Sequence, residues 1–137
     1  MGITLHKSGT HPDPRGDEGE FLFRYAIYPH KYSLGMDTVR EAYAFNYIPP
    51  KTARRDFNPP FAVNGNSVVV ETVKQGEDGG IVLRLYEAMG ASDEITVTTS
   101  GKKVVECNIL EDERTSLGSN DVKLKFKPFE IKTIKLI

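Results

Sequence analysis

The sequence predicts an all-β domain, an antiparallel β-sandwich of about eight strands with one short helix. Three observations lead there. From Ser67 onward, short runs of alternating apolar and polar residues follow one another with turn residues between them. Nowhere do strands alternate with long helical stretches, which argues against a dinucleotide-binding α/β fold. The length, 137 residues with 12 glycines and 8 prolines, suits one domain with many tight turns, so residues 1–137 are expected to form a single domain.

The elements follow in order. Ile3 to Lys7 reads as a short strand, and Glu20 to Tyr28 as a longer one with Phe21, Phe23, Tyr25 and Ile27 on one side. The polar stretch His11 to Gly19 between them holds no large apolar residue and is expected to be a loop. Thr38-Val39-Arg40-Glu41 matches a capping box, which places one helix over Val39 to Phe45, stopped before Pro49-Pro50. The basic, proline-rich stretch from there to Pro60, with Arg54-Arg55, reads as an excursion across the surface.

Ser67 to Lys74 and Ile81 to Tyr86 are strands joined at Gly76-Glu77-Asp78-Gly79-Gly80, whose glycines can take positive φ. Glu94 to Thr99 and Lys103 to Leu110 read as a second pair joined at Ser100-Gly101, and Leu117 to Asp121 as a turn. In the last pair, Val122, Leu124 and Phe126 alternate with Lys123, Lys125 and Lys127. Glu130 to Leu136 closes the chain as a strand whose apolar parity shifts between Ile131 and Ile134, which a bulge would explain.

Composition excludes several classes of function. With 39% hydrophobic and 27% charged residues the chain is neither disordered nor a membrane protein, and no apolar run approaches the ~20 residues that span a bilayer. Eighteen basic against 19 acidic residues, a net charge of −1, give no reason to expect nucleic acid or anionic lipid as partner. One cysteine excludes an intrachain disulfide and the usual cysteine-based zinc sites. Cys107 alternates with Val105 and Ile109 and reads as a small core hydrophobe. With no secretory signal at the start, a cytoplasmic location is expected.

Candidate chemistry is sparse. The three histidines, His6, His11 and His30, lack metal-ligand spacing, and a metal site on His11, Asp13 and Asp17 is disfavoured. No Gly-x-Ser-x-Gly elbow or phosphate loop is present. Acidic clusters lie at Asp17 to Glu20, Asp93-Glu94 and Glu111 to Glu113. Glycoside hydrolysis needs two opposed carboxyl groups, but turn acids are usually just solvated, and the first cluster stands out for its longer polar loop. The lysine row 123/125/127 is an anion-binding stripe or a solvated face that discourages edge pairing, with the second favoured.

Several blocks, in order along the chain, resemble the C-terminal region of family-38 α-mannosidases, chiefly the cytosolic and microbial branch. They are Phe23-Arg24-Tyr25-Ala26-Ile27-Tyr28-Pro29-His30, Val39-Arg40-Glu41-Ala42-Tyr43 with Asn46, Val70 to Lys74, Glu77 to Ala88, and Lys127-Pro128-Phe129-Glu130-Ile131-Lys132-Thr133. The resemblance implies a β-sandwich domain of a zinc-dependent retaining enzyme that removes terminal α-linked mannose from oligosaccharides. It also implies that nucleophile and zinc belong to an N-terminal α/β domain and a helical bundle. No catalytic residue, metal ligand or cofactor is therefore assigned to this chain, and zinc is expected in the catalytic domain. Asp13-Pro14-Arg15-Gly16 is similar to an Asp-x-Arg-Gly stretch that in Golgi relatives reaches over the mannose subsite, Pro14 being a departure. Asp13, Arg15, Gly16 and Asp17 are thereby candidate substrate-binding residues, and Arg15 offers a rigid fork of donors.

The expected partners are the catalytic and helical domains of the parent α-mannosidase and a mannose-containing oligosaccharide. An apolar docking surface left bare would favour a homo-oligomer. Two other readings stand beside this one. A free-standing carbohydrate-binding sandwich would use Tyr28, Tyr32, Tyr43 or Tyr47 as platforms, although the lack of tryptophan weakens it. A purely structural docking module needs no site at all.

Overall fold

Gly76 and Gly80 close the first hairpin as the sequence predicts. The Gly76 N–H donates to the Gly80 carbonyl at 2.7 Å, and Gly79 takes a φ of 85°. In this computed structural model, which describes residues 2–31, 33–48 and 58–137, the chain divides into two compact units, Met1–Lys31 and Tyr32–Ile137. The second unit holds α1 (Met36–Asn46) and six strands: β1 (Phe61–Asn64), β2 (Val68–Gln75), β3 (Ile81–Glu87), β4 (Asp93–Cys107), β5 (Glu113–Phe126) and β6 (Ile131–Leu136). All pairings are antiparallel, in the order β1-β4-β6-β3-β2 with β5 on β4. The all-β architecture is as expected, with six strands rather than eight.

β4 organises the sheet. One edge takes β5 along both halves, while the other takes β1 at Thr96–Thr99 and β6 at Val104–Cys107. Between the halves the register jumps: Thr98 faces Asp121 and Lys103 faces Ser119, so residues 99–102 stand against Asn120 alone. Gly101 (φ 79°), Gly118 (φ 109°) and Asn120 (φ 66°) take the left-handed backbone that such a corner requires. The buried Thr99 hydroxyl donates to the Lys102 carbonyl across it at 3.0 Å. Ser100-Gly101 and Leu117–Asp121 are therefore not the ends of separate strands. They are facing bends in two long strands, and they curl the sheet into two layers.

The layers meet in one core. Ile95, Val97, Val122, Leu124 and Phe126 from one side of the corner pack with Leu83, Leu85, Val104, Ile134 and Leu136 from the other. β6 carries no bulge: its register with β3 is unbroken from Ile131 to Leu136. Its alternation fails because both its faces are covered, with Thr133, Ile134, Lys135 and Leu136 all buried. On the outer face, the connection Asn108–Asp112 is tied over the sheet. Arg84 Nη2 donates to the Ile109 carbonyl, and Glu111 pairs with Arg84 at 3.2 Å and Lys74 at 2.6 Å. Cys107 is buried and free, as expected.

Three expectations in the first half are corrected. Ile3–Lys7 and Glu20–Tyr28 form no strands. His6 does stack on Phe21 (ring centroids 4.7 Å apart), but no backbone ladder joins the segments, and a lone strand pair is at best marginal in water. The helix begins at Met36 behind Gly35, without a side-chain cap, so Thr38 lies inside its first turn. It ends at Asn46, with the Tyr47 N–H closing on the Tyr43 carbonyl at 2.8 Å. The expected surface excursion, Arg54-Arg55 included, lies largely outside the described residues. β1, which the sequence did not suggest, is four residues long and follows Pro59-Pro60.

Leu83 sits at 0% exposure where the layers meet. Leu83→Ala should cost about 2–5 kcal/mol, the range for an aliphatic cavity in a packed core. Urea unfolding of the 137-residue chain is expected to show a lower midpoint with an unchanged slope.

Candidate functional site

The loop carrying Asp13, Arg15, Gly16 and Asp17 lies in the first unit and is built by short-range bonds. The Arg15 N–H donates to Asp13 Oδ1 at 2.9 Å, and the Gly16 N–H to the Asp13 carbonyl at 3.0 Å. The Asp17 N–H donates to Ser8 Oγ at 2.9 Å, which ties the loop to the incoming chain. Gly16 has a φ of 53°, and a Cβ there would sit 2.7 Å from Ser8 Oγ and 2.8 Å from the Gly9 carbonyl oxygen. The glycine is a steric necessity. Asp13 thus acts on the backbone. The Arg15 side chain is exposed, with no hydrogen bond or ion pair to another described residue. What the loop presents outward is a guanidinium whose donors meet no acceptor among the described residues, a group suited to hydroxyls and carboxylates.

The other sequence candidates fall elsewhere. No group of three His, Cys, Asp or Glu side chains gathers for a metal among the described residues, so His11, Asp13 and Asp17 do not form a ligand set. The two later acidic clusters are tied into the structure rather than merely solvated. Asp93 Oδ2 accepts the N–H groups of Asn66 and Ser67, which hold its pKa below the usual carboxylate range. Asp112 and Asn108 bond reciprocally, at 2.8 and 2.9 Å, to clip the β4–β5 connection. Lys123 and Lys125 both point at Glu94, at 3.5 and 3.8 Å with largely exposed ammonium groups, as a solvated strand face should.

Two clusters were not visible in the sequence. Glu87, at 0% exposure, accepts from the backbone N–H groups of Met89 (2.9 Å), Gly90 (2.8 Å) and Phe129 (3.0 Å). Burial alone would raise its pKa, but the N–H groups of Phe129 and Met89 outweigh it and draw it from 4.5 down to about 2. A shift of that kind often marks a functional acid. Here both carboxylate oxygens are occupied by backbone, so Glu87 is a brace between the end of β3 and the β5–β6 turn. The second cluster is Tyr43 on α1, whose phenol donates to Glu71 and lies 3.2 Å from the Tyr86 phenol. Glu71 is the extra residue of a β2 bulge between Val70 and Thr72, and a bulge cannot be read from alternation.

Because Glu87 has a lowered folded-state pKa, its contribution to stability is whole above about pH 4.5 and fades as the pH falls toward 2. Urea midpoints measured across that window should fall in the wild type. In Glu87→Gln the neutral pH midpoint should be lower and this part of the acid slope absent.

Comparison with known proteins bears on the family. Residues 67–134, from the end of the β1–β2 connection to β6, match the family model described as the glycosyl hydrolases family 38 C-terminal beta sandwich domain. Over its whole length the chain is 34% identical to alpha-mannosidase G of Dictyostelium discoideum and 31% identical to human alpha-mannosidase 2C1. Over 99% of its length it is 28% identical to the alpha-mannosidase of Saccharomyces cerevisiae. It spans only 14% to 16% of the length of these relatives. The folded sheet and this end-to-end likeness lead to one conclusion: the chain belongs to glycosyl hydrolase family 38, of which it carries the C-terminal β-sandwich domain.

Proposed function

We propose that this chain is the C-terminal, non-catalytic domain of a zinc-dependent retaining α-mannosidase that removes terminal α-linked mannose from oligosaccharides in the cytoplasm. The observation that carries the reading is likeness along the whole chain to alpha-mannosidases several times its length. The domain supports the catalytic and helical domains, and its Asp13–Asp17 loop lines one edge of the sugar site. Zinc and nucleophile reside in those other domains.

The loop's chemistry suits the role. Asp13 and Ser8 hold its backbone, Gly16 permits the tight turn, and Arg15 stays free to donate to a mannose hydroxyl or to a neighbouring carboxylate. Docking against the parent enzyme would cover apolar side chains that this chain leaves in solvent, among them Leu34, Ile48, Leu110 and Phe129. Self-association through the same residues when the other domains are missing belongs to this proposal. No described helix is long and apolar enough to cross a membrane.

Two measurements test the reading together. The 137-residue chain should hydrolyse no aryl α-mannoside, with or without added zinc, and turnover that survives removal of host enzyme would overturn it. In the complete enzyme, Arg15→Ala should cost ~1.5–3 kcal/mol of transition-state binding, roughly a ten- to hundredfold loss in kcat/KM, with folding intact. A simple surface turn would instead keep the change within about ±0.5 kcal/mol. Unchanged kinetics would reduce the loop to a connection.

A further inference from the structure

The β4–β5 connection carries two bare aliphatic side chains, Ile109 at 60% and Leu110 at 79% exposure. Its backbone is nonetheless fixed from several sides. The Asn108 N–H donates to the Asp112 carbonyl and the Glu111 N–H to the Asn108 carbonyl, each at 3.0 Å. Glu111 takes a φ of 72°, a left-handed conformation that a glutamate enters only at a cost. Its carboxylate is held by Lys74 and Arg84, and Arg84 also grips the Ile109 carbonyl at 3.2 Å. A solvated turn needs none of this: glycine at 111 would relax the backbone, and polar side chains at 109 and 110 would suit water. Ile109 and Leu110 share a cleft of about 480 Å³ with Ile131 of β6, itself 63% exposed. At its rim Lys132 is neutralised by Glu106 at 3.3 Å and Glu130 at 3.2 Å. Arg114, also at the rim, has no hydrogen bond or ion pair with another described residue.

We propose that Ile109, Leu110 and Ile131 form a docking site for the remaining domains of the parent enzyme, with Arg114 offering its guanidinium to a carboxylate on that surface. This rests on the proposed function and says which face of the sheet meets the rest of the enzyme. The anatomy is that of an interface: an apolar centre, a rim pair already neutralised, and one arginine without an acid. Size decides the occupant. Three aliphatic side chains at these exposures present a few hundred Å², short of the ~800 Å² per partner usual between separate molecules. Contacts between domains of one chain can be as small as ~600 Å² in total, because the linkage keeps the partner at a high effective concentration. The relatives, of which this chain spans 14% to 16%, have the length for such linked domains. A turn fixed in advance also loses little freedom on docking, which strengthens a small contact.

Thiol labelling of Leu110→Cys and Ile131→Cys, in the 137-residue chain and in the complete enzyme, tests this. Alkylation by a maleimide is read at each residue by tandem mass spectrometry. It should be roughly tenfold or more slower in the complete enzyme, where the thiol reacts only when the interface opens. Lys123→Cys, on the solvated face of β5, should be labelled at the same rate in both. Leu110→Asp should leave the urea midpoint of the 137-residue chain unchanged. In the complete enzyme it should speed proteolytic release of this domain by roughly tenfold, since docking would bury an unpaired charge. Equal labelling of Leu110→Cys in both proteins would overturn the docking site. So would slow labelling in the short chain that quickens on dilution, which would make a second copy the occupant. Turnover of an aryl α-mannoside by the complete enzyme reports on the proposed function separately. Free labelling in an active enzyme overturns the docking site alone. A shielded patch in a complete protein whose natural sequence shows no turnover overturns the proposed function alone.

Discussion

The corner in β4 is the constraint on which the rest of the sandwich depends. A single strand of 15 residues can serve two layers only if it changes direction, and a flat ladder would not allow that. Setting residues 99–102 against Asn120 alone supplies the bend. It hands the first half of β4 to β1 and the second to β6 while β5 follows along the other edge. Everything buried follows from this. Ile95 and Val97 share one core with Leu83 and Ile134 because the sheet turns back on itself.

Secondary bonds then fasten what the corner brings together. Glu87 braces the end of β3 to the Phe129 turn through backbone N–H groups, and Lys135, nearly buried, reaches Asp78 in the first hairpin at 2.9 Å. The Glu111 carboxylate, shared by Arg84 and Lys74, holds the Asn108–Asp112 connection against the outer face. Few acidic groups of the sheet region are therefore spare. Outside this network stand Arg15 in the first unit and Tyr47 at the end of α1, both exposed.

Much of this was legible in the sequence, and what was not has physical reasons. The alternation of Ile81 to Tyr86 and of Val122 to Phe126, with glycines at 76, 79 and 80, identified strands and a turn correctly because local chemistry decides those features. The Ser100-Gly101 and Leu117–Asp121 signals were read as chain reversals. Positive φ serves a bulged corner as well as a hairpin, and only the pairing distinguishes them. Phe21, Phe23, Tyr25 and Ile27 alternate as a strand would, yet alternation records a face to be covered and not the presence of a cover. In β6, burial on both sides erased the alternation that a one-sided strand shows. The Asp13–Asp17 segment could be read in advance as a loop because its glycine and aspartates are local turn formers. The Tyr43–Glu71–Tyr86 cluster could not, since it joins residues 28 and 43 positions apart through a bulge.

The central claim is that β4 binds both layers into one cooperative unit, and native-state amide hydrogen exchange tests it most directly. In increasing denaturant, the protected amides of Ile95–Val97, Val104–Glu106 and Thr133–Leu136 should converge on a single opening free energy, equal to that of global unfolding. Separate free energies for the two halves of β4, with the β1 side opening while the β6 side stays closed, would contradict the account.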